Sequence, residues 1–184
     1  MMCIWRAAAV FWATVSCLVA EETAKTFLWA GPKVVVSVFS AELGMLDSER
    51  DEYATNLATA ASNHIAAAKA SPESLAEGRK MIALALQLSP RNKRAVVVNF
   101  QLAKGIVPAT GESDYSPPVL ARLMLMRGQV LTQQGGVENL KLARYFTQLA
   151  AELDPKNEDA VYASEVQRLD HGTVDWAALT DAEK

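Results

Sequence analysis

Thiols, imidazoles and aromatic rings are scarce in this chain. Its 184 residues include two cysteines and two histidines, and aromatics make up 7%. Cys3 and Cys17 both fall in the first seventeen residues, so the remainder has no disulfide to staple it and no thiolate to offer. His64 and His171 stand far apart in sequence with no cysteine near either, which leaves no ordinary metal-ligand spacing; neither a metal nor a cofactor is expected. No Gly-rich phosphate loop, His-Glu-x-x-His helix, Cys-x-x-Cys pair or Gly-x-Ser-x-Gly elbow is present. A dominant sign of charge is missing too: the net charge is −3, and few aromatics accompany the basic residues, which argues against a nucleic-acid partner. The absence of any Asn-x-Ser/Thr sequon favours a bacterial over a eukaryotic export route.

Alanine is what the chain has in excess, 31 of 184 residues, within a composition 51% hydrophobic and 21% charged. Such a chain can bury one core, and its small side chains favour closely packed helices over a β-sandwich.

Residues 1–20 carry one basic residue, Arg6, ahead of an apolar run from Ala7 to Ala20. This is the layout of a secretory signal, and the run is short for a bilayer-spanning helix. The expected location is therefore the periplasm or cell envelope. Two other fates stay open: an uncleaved N-terminal anchor, and lipidation at Cys17 in Thr14-Val15-Ser16-Cys17. Membrane contact is expected only through such an N-terminus. Residues 21–47 form an apolar lead-in in which Val34 to Phe39 reads either as a lone strand or as an apolar helix.

From 48 to 172 the pattern is helical. Tyr53, Leu57, Ala61, Ile65 and Ala68 recur at three and four over 49–70, giving one apolar stripe. Ser71-Pro72-Glu73 starts a second helix, whose later half is apolar nearly all round and must be covered on most sides. Asn92 caps a third helix that closes at Gly105, and 106–118 is a loop. Ser116-Pro117 opens a fourth over about 118–134, stopped by Gly135-Gly136; a fifth covers 138–153 and a last one runs to Leu169. The tail, 173–184, holds Trp176 and Leu179, suited to a short capping helix over the last apolar face.

An internal repeat runs through these helices. Sliding Leu75–Val96 by 65 positions onto Leu140–Val161 matches nine residues without a gap, including the phrase Leu-x-Pro-x-Asn-x-x-Ala-Val. That phrase, with Ala143, Phe146 and Ala150 before it and Gly128, Leu131 and Gly135 in the preceding helix, resembles the tetratricopeptide repeat family. The resemblance runs over about 120–161 and more faintly over 54–96. It implies an all-α fold of antiparallel helix hairpins stacked as a short solenoid of about two units. Three extra residues between Gly135 and the next helix, and Asn63 where the other unit has Gly128, depart from the family pattern.

The resemblance also implies a partner-binding groove lined by the first helix of each unit: Arg122, Gln129 and Thr132 in one, Leu57, His64 and Ala67 in the other. Beside it stands a basic turn. Residues 72–105 carry +4, with Arg79, Lys80, Arg91, Lys93 and Arg94 concentrated there, whereas 137–184 carries −5. The expected function is an exported, non-catalytic binding or scaffold module for a protein or peptide. The alternative is a membrane-anchored structural or assembly protein of the cell envelope; a small hydrolase lacks a nameable nucleophile and base.

Overall fold

A computed structural model describes residues 27–34 and 36–181. The expected signal segment, 1–20, and residues 182–184 lie outside the described residues. Among those described, the chain is all-helical, with seven α-helices and no strand: α1 (Asp47–Ala67), α2 (Pro72–Leu88), α3 (Lys93–Ala103), α4 (Pro117–Gln134), α5 (Val137–Leu153), α6 (Glu158–His171) and α7 (Ala177–Thr180).

Local chemistry sets most of these bounds. Ser71 Oγ accepts from the Ser74 amide and Pro72 holds the first helical position, where its missing N–H costs nothing. Asn92 and Asn157 accept from the amides of Ala95 and Ala160, so α3 and α6 start with the same cap 65 residues apart. α2 and α5 share that offset, 72 to 137, and are 17 residues long each. Ser116 precedes α4 but makes no side-chain cap, leaving Pro117 and Pro118 to open it. The three extra residues expected after Gly135 are absorbed into α5: Gly135 at φ +69° and Gly136 at φ +89° make the whole turn, and Val137 is already helical.

The close approach within each hairpin is made differently. In α4–α5 the glycine is on the first helix: a Cβ on Gly128 would stand 3.3 Å from the Ala143 carbonyl oxygen, tight enough that the α5 backbone would have to give by a few tenths of an ångström. In α1–α2 the glycine is on the second helix: Gly78 faces Ile65 and Ala61. Asn63 is therefore free to turn outward, where its amide group exchanges two hydrogen bonds with the backbone of Gly111 and pins the 105–116 loop over α1.

The two hairpins pack face to face, with α1 running antiparallel to α4. Glu49 pairs with Arg127 at 2.6 Å, the Tyr53 hydroxyl donates to the Leu123 carbonyl, and the C-terminal turns of α1 approach Pro117 and Leu120. Rings of Tyr53 and Phe146 meet at 4.9 Å in the shared core, which also holds fully buried Leu57, Ile82, Leu84, Leu131, Leu142 and Leu149.

The described residues of the Val34 to Phe39 stretch, 34 and 36–39, are neither strand nor helix. Residues 36–39 cross the end of α2, where Gln87 takes the place of a pairing strand: the Val38 amide donates to Gln87 Oε1 and the Ser37 hydroxyl to the Gln87 carbonyl. Arg50, 8% exposed, fastens the same strap by donating to the carbonyls of Leu88, Phe39 and Ser40. The tail does form a short helix, but it covers α2 and not the outer face of α6. Gln87 Nε2 donates to the Leu179 carbonyl, and the Trp176 ring packs tilted against Tyr145 with centroids 4.9 Å apart.

Candidate functional site

The repeat explains where the surface opens. In the first half, α3 packs chiefly on α1 and buries Ala95, Val98 and Leu102 completely. Shifted by 65, these positions become Ala160, Ala163 and Gln167. Only Ala160 is buried in α6, and Gln167 spends its amide on the Arg144 carbonyl of α5. With Ala163 and Gln167 in place of Val98 and Leu102, α6 settles against α5 and barely touches α4. The gap between α4 and α6, floored by α5, is a groove of about 1510 Å3.

Its α4 wall presents Arg122, Gln129 and Thr132, so the first set of expected residues does line one surface. The floor is apolar at Leu125, Leu140 and Ala143, while α6 contributes Tyr162, Asp159 and Asp170. Tyr162 is 73% exposed and Met126 56%, large side chains that the fold leaves in solvent along this groove. Arg144 closes one end: its guanidinium donates to the carbonyls of His171 and Gly172, satisfying the C-terminus of α6.

The second set does not continue this surface. Leu57 is 0% exposed, in the core between the hairpins, because antiparallel packing of α1 on α4 turns that face inward. His64 and Ala67 line a separate cavity of about 450 Å3 where α1, α2, α4 and α5 meet. The six residues therefore do not form one groove.

The basic turn is likewise divided. Arg79 pairs with Asp181 at 2.6 Å, Lys80 with Glu152 at 3.0 Å, and Arg94 donates to the Ser62 hydroxyl and the Ala109 carbonyl. Arg91 and Lys93 stay exposed at the α2–α3 turn, two cations in place of five. The tail, α5, and α1 with the 105–116 loop consume the rest.

The smaller cavity contains a pair that the sequence did not reveal. His64 Nε2 lies 2.6 Å from Glu77 Oε2, one on each helix of the first hairpin. Glu77 is not a helical neighbour of His64 at three or four residues along α1; it stands across the 68–71 turn, on α2. Ser113 lines the same cavity, but its hydroxyl donates to the Tyr115 carbonyl at 2.7 Å, so the three side chains do not form a relay. Tyr115 in turn donates to Glu52 at 2.7 Å, which raises its pKa from the ordinary phenol value.

Burial pushes the phenols of Tyr53 and Tyr145 up to about 12, reinforced at Tyr53 by Glu49 and at Tyr145 by Asp175. Both act as neutral donors to backbone carbonyls. Among the described residues no group of three or more His, Cys, Asp or Glu side chains is placed to hold a metal ion. No described helix is long and apolar enough to cross a membrane. Compared with protein-family models, with curated proteins and with solved structures, the chain matches none.

Proposed function

We propose that the protein is an exported, non-catalytic module that holds a protein or peptide segment in the α4–α6 groove. The observation that carries this reading is the groove itself. It opens where the repeat's first copy has a helix seated, and it combines an apolar floor with polar walls from Arg122, Gln129 and Asp159. That combination suits a segment that buries apolar side chains and is oriented by a few hydrogen bonds. The tetratricopeptide-like reading is kept for each half, as a hairpin followed by the next helix, and export rests on residues 1–20.

A photo-reactive residue at position 129 tests the groove, with the same residue at position 97 on α3 as a control. Partner adducts are expected from 129 and not from 97, and Arg122→Ala in the same chain reduces them. Equal adducts from both positions, or adducts indifferent to Arg122, overturn the assignment. Intact mass after export tests the leader: loss of about the first twenty residues and a soluble product exclude the anchored alternative.

A further inference from the structure

We propose that the cavity at the α1–α5 end is a binding site for a small amphiphile that carries a protonated amine on a compact apolar body. This stands independently of the groove. The cavity, about 450 Å3, is of the size that takes a small organic molecule, and it is built at the junction of four helix ends. Its walls include Met81, Leu120, Leu149 and Leu153, of which the first three are buried core residues. Ala60 and Ala67 keep it wide, since neither carries a side chain that reaches across.

The head-group preference follows from the charges at the rim. Glu77 meets His64 through one carboxylate oxygen only, and its side chain is 51% exposed, so the other oxygen is accessible to a ligand. Glu152 faces the cavity from α5 and is balanced by Lys80. Two carboxylates, Glu77 and Glu152, line the cavity against one imidazole, and Lys80 approaches only as the partner of Glu152, which makes the entrance unfavourable for an anion and favourable for a cation. The Tyr115 ring adds a face on which an ammonium group can rest. An apolar body rests on Ala60, Pro117 and Leu153 above the buried Met81 and Leu120, while the amine stays at Glu77, where it remains partly hydrated.

The experiment uses the full chain with methyl-labelled methionine and three probes of one length: n-hexylammonium, hexanoate and hexanol. Hexylammonium is expected to shift the Met81 methyl saturably, with a dissociation constant on the order of millimolar for so small a ligand. Met126, in the α4–α6 groove, is expected to stay unmoved, which separates this site from the groove. Glu77→Gln weakens binding roughly fivefold or more, the loss expected of a partly exposed ion pair. Glu165→Gln, on exposed α6, leaves it unchanged, and an unaltered Tm for both variants shows that the fold is intact. His64→Gln keeps the carboxylate and therefore keeps binding, which covers the case in which Glu77→Gln fails to fold. Equal affinity for all three probes, a shift of Met81 that never saturates, binding lost in His64→Gln, or a folded Glu77→Gln variant that binds as the wild type does, overturns the proposal.

Discussion

Restoring the first half's apolar stripe to α6, with Ala163→Val and Gln167→Leu, is expected to close the groove. In α3 the corresponding Val98 and Leu102 are 0% exposed. Two methyl groups added at 163 contribute about 1.6 kcal/mol if buried, and leucine at 167 contributes about 2 kcal/mol. Against this stand the Gln167–Arg144 hydrogen bond, worth about 1 kcal/mol, and roughly 1 kcal/mol of repacking strain. The net gain is about 1.5–2 kcal/mol. For a domain of this size that moves the urea midpoint upward by roughly 1 M. In a background with Cys3 and Cys17 replaced by serine, spin labels at Val130 and Leu169, both exposed, should approach each other as α6 moves onto α4. If α6 does not move, the new side chains stay at the surface and only the hydrogen bond is lost. The midpoint then falls and the labels keep their distance. That result would falsify the claim that the repeat's lost apolar pair opens the groove. Partner adducts from position 129 should disappear together with the opening.

Gln87 joins the strap to the tail, so Gln87→Ala strands the Val38 amide and the Leu179 carbonyl. A loss of about 2–4 kcal/mol is expected, with faster exchange of the Val38 amide; a loss under about 0.5 kcal/mol counts against the clasp. Alkaline titration followed by tyrosinate absorbance should show Tyr53 and Tyr145 ionising last. Their folded pKa of about 12 lies above the unfolded value of 10.0, so the folded state holds more protons between those values. Stability from the two phenols is complete below pH 10 and is lost as pH rises toward 12. Four phenols titrating together with no loss of stability would contradict their burial.

Most of the helical body was legible because its punctuation is local. Ser71-Pro72, Asn92, Asn157 and Gly135-Gly136 act on their own neighbours, and the structure puts helix ends within one to three residues of the positions they predict. Gly128 was legible for the same reason: a small residue in the middle of a helix marks a close crossing. Gly78 serves that purpose in the other hairpin but lies outside the positions the family resemblance drew attention to. What the sequence hid was long-range. Val34 to Phe39 has strand propensity, yet its hydrogen bonds go to Gln87, some fifty residues away. The basic turn looked like a surface until Asp181 and Glu152, from the tail and from α5, supplied its counter-charges. The His64–Glu77 pair follows from the angle between α1 and α2, which no spacing along a single helix contains.

The placement of the candidate sites follows from the number of helices in the repeat. Each 65-residue copy contributes three helices, α1–α3 and α4–α6, and helix direction alternates along the chain. Three is odd, so the second copy begins in the opposite direction to the first. Copies that repeat with an even number of helices translate and leave every first helix on one continuous concave face. Here the copies meet face to face: Glu49 pairs with Arg127 and Tyr53 reaches Leu123, the contacts of antiparallel helices. That reversal turns Leu57 into the core, puts His64 and Ala67 at the rim of an open cavity between the copies, and leaves Arg122, Gln129 and Thr132 on an outer surface. One set of residues expected to share a groove is thus divided into a core position, an open cavity between the copies and a separate groove. Inserting or deleting one helix's worth of chain between the copies would change this outcome more than any substitution within the sites.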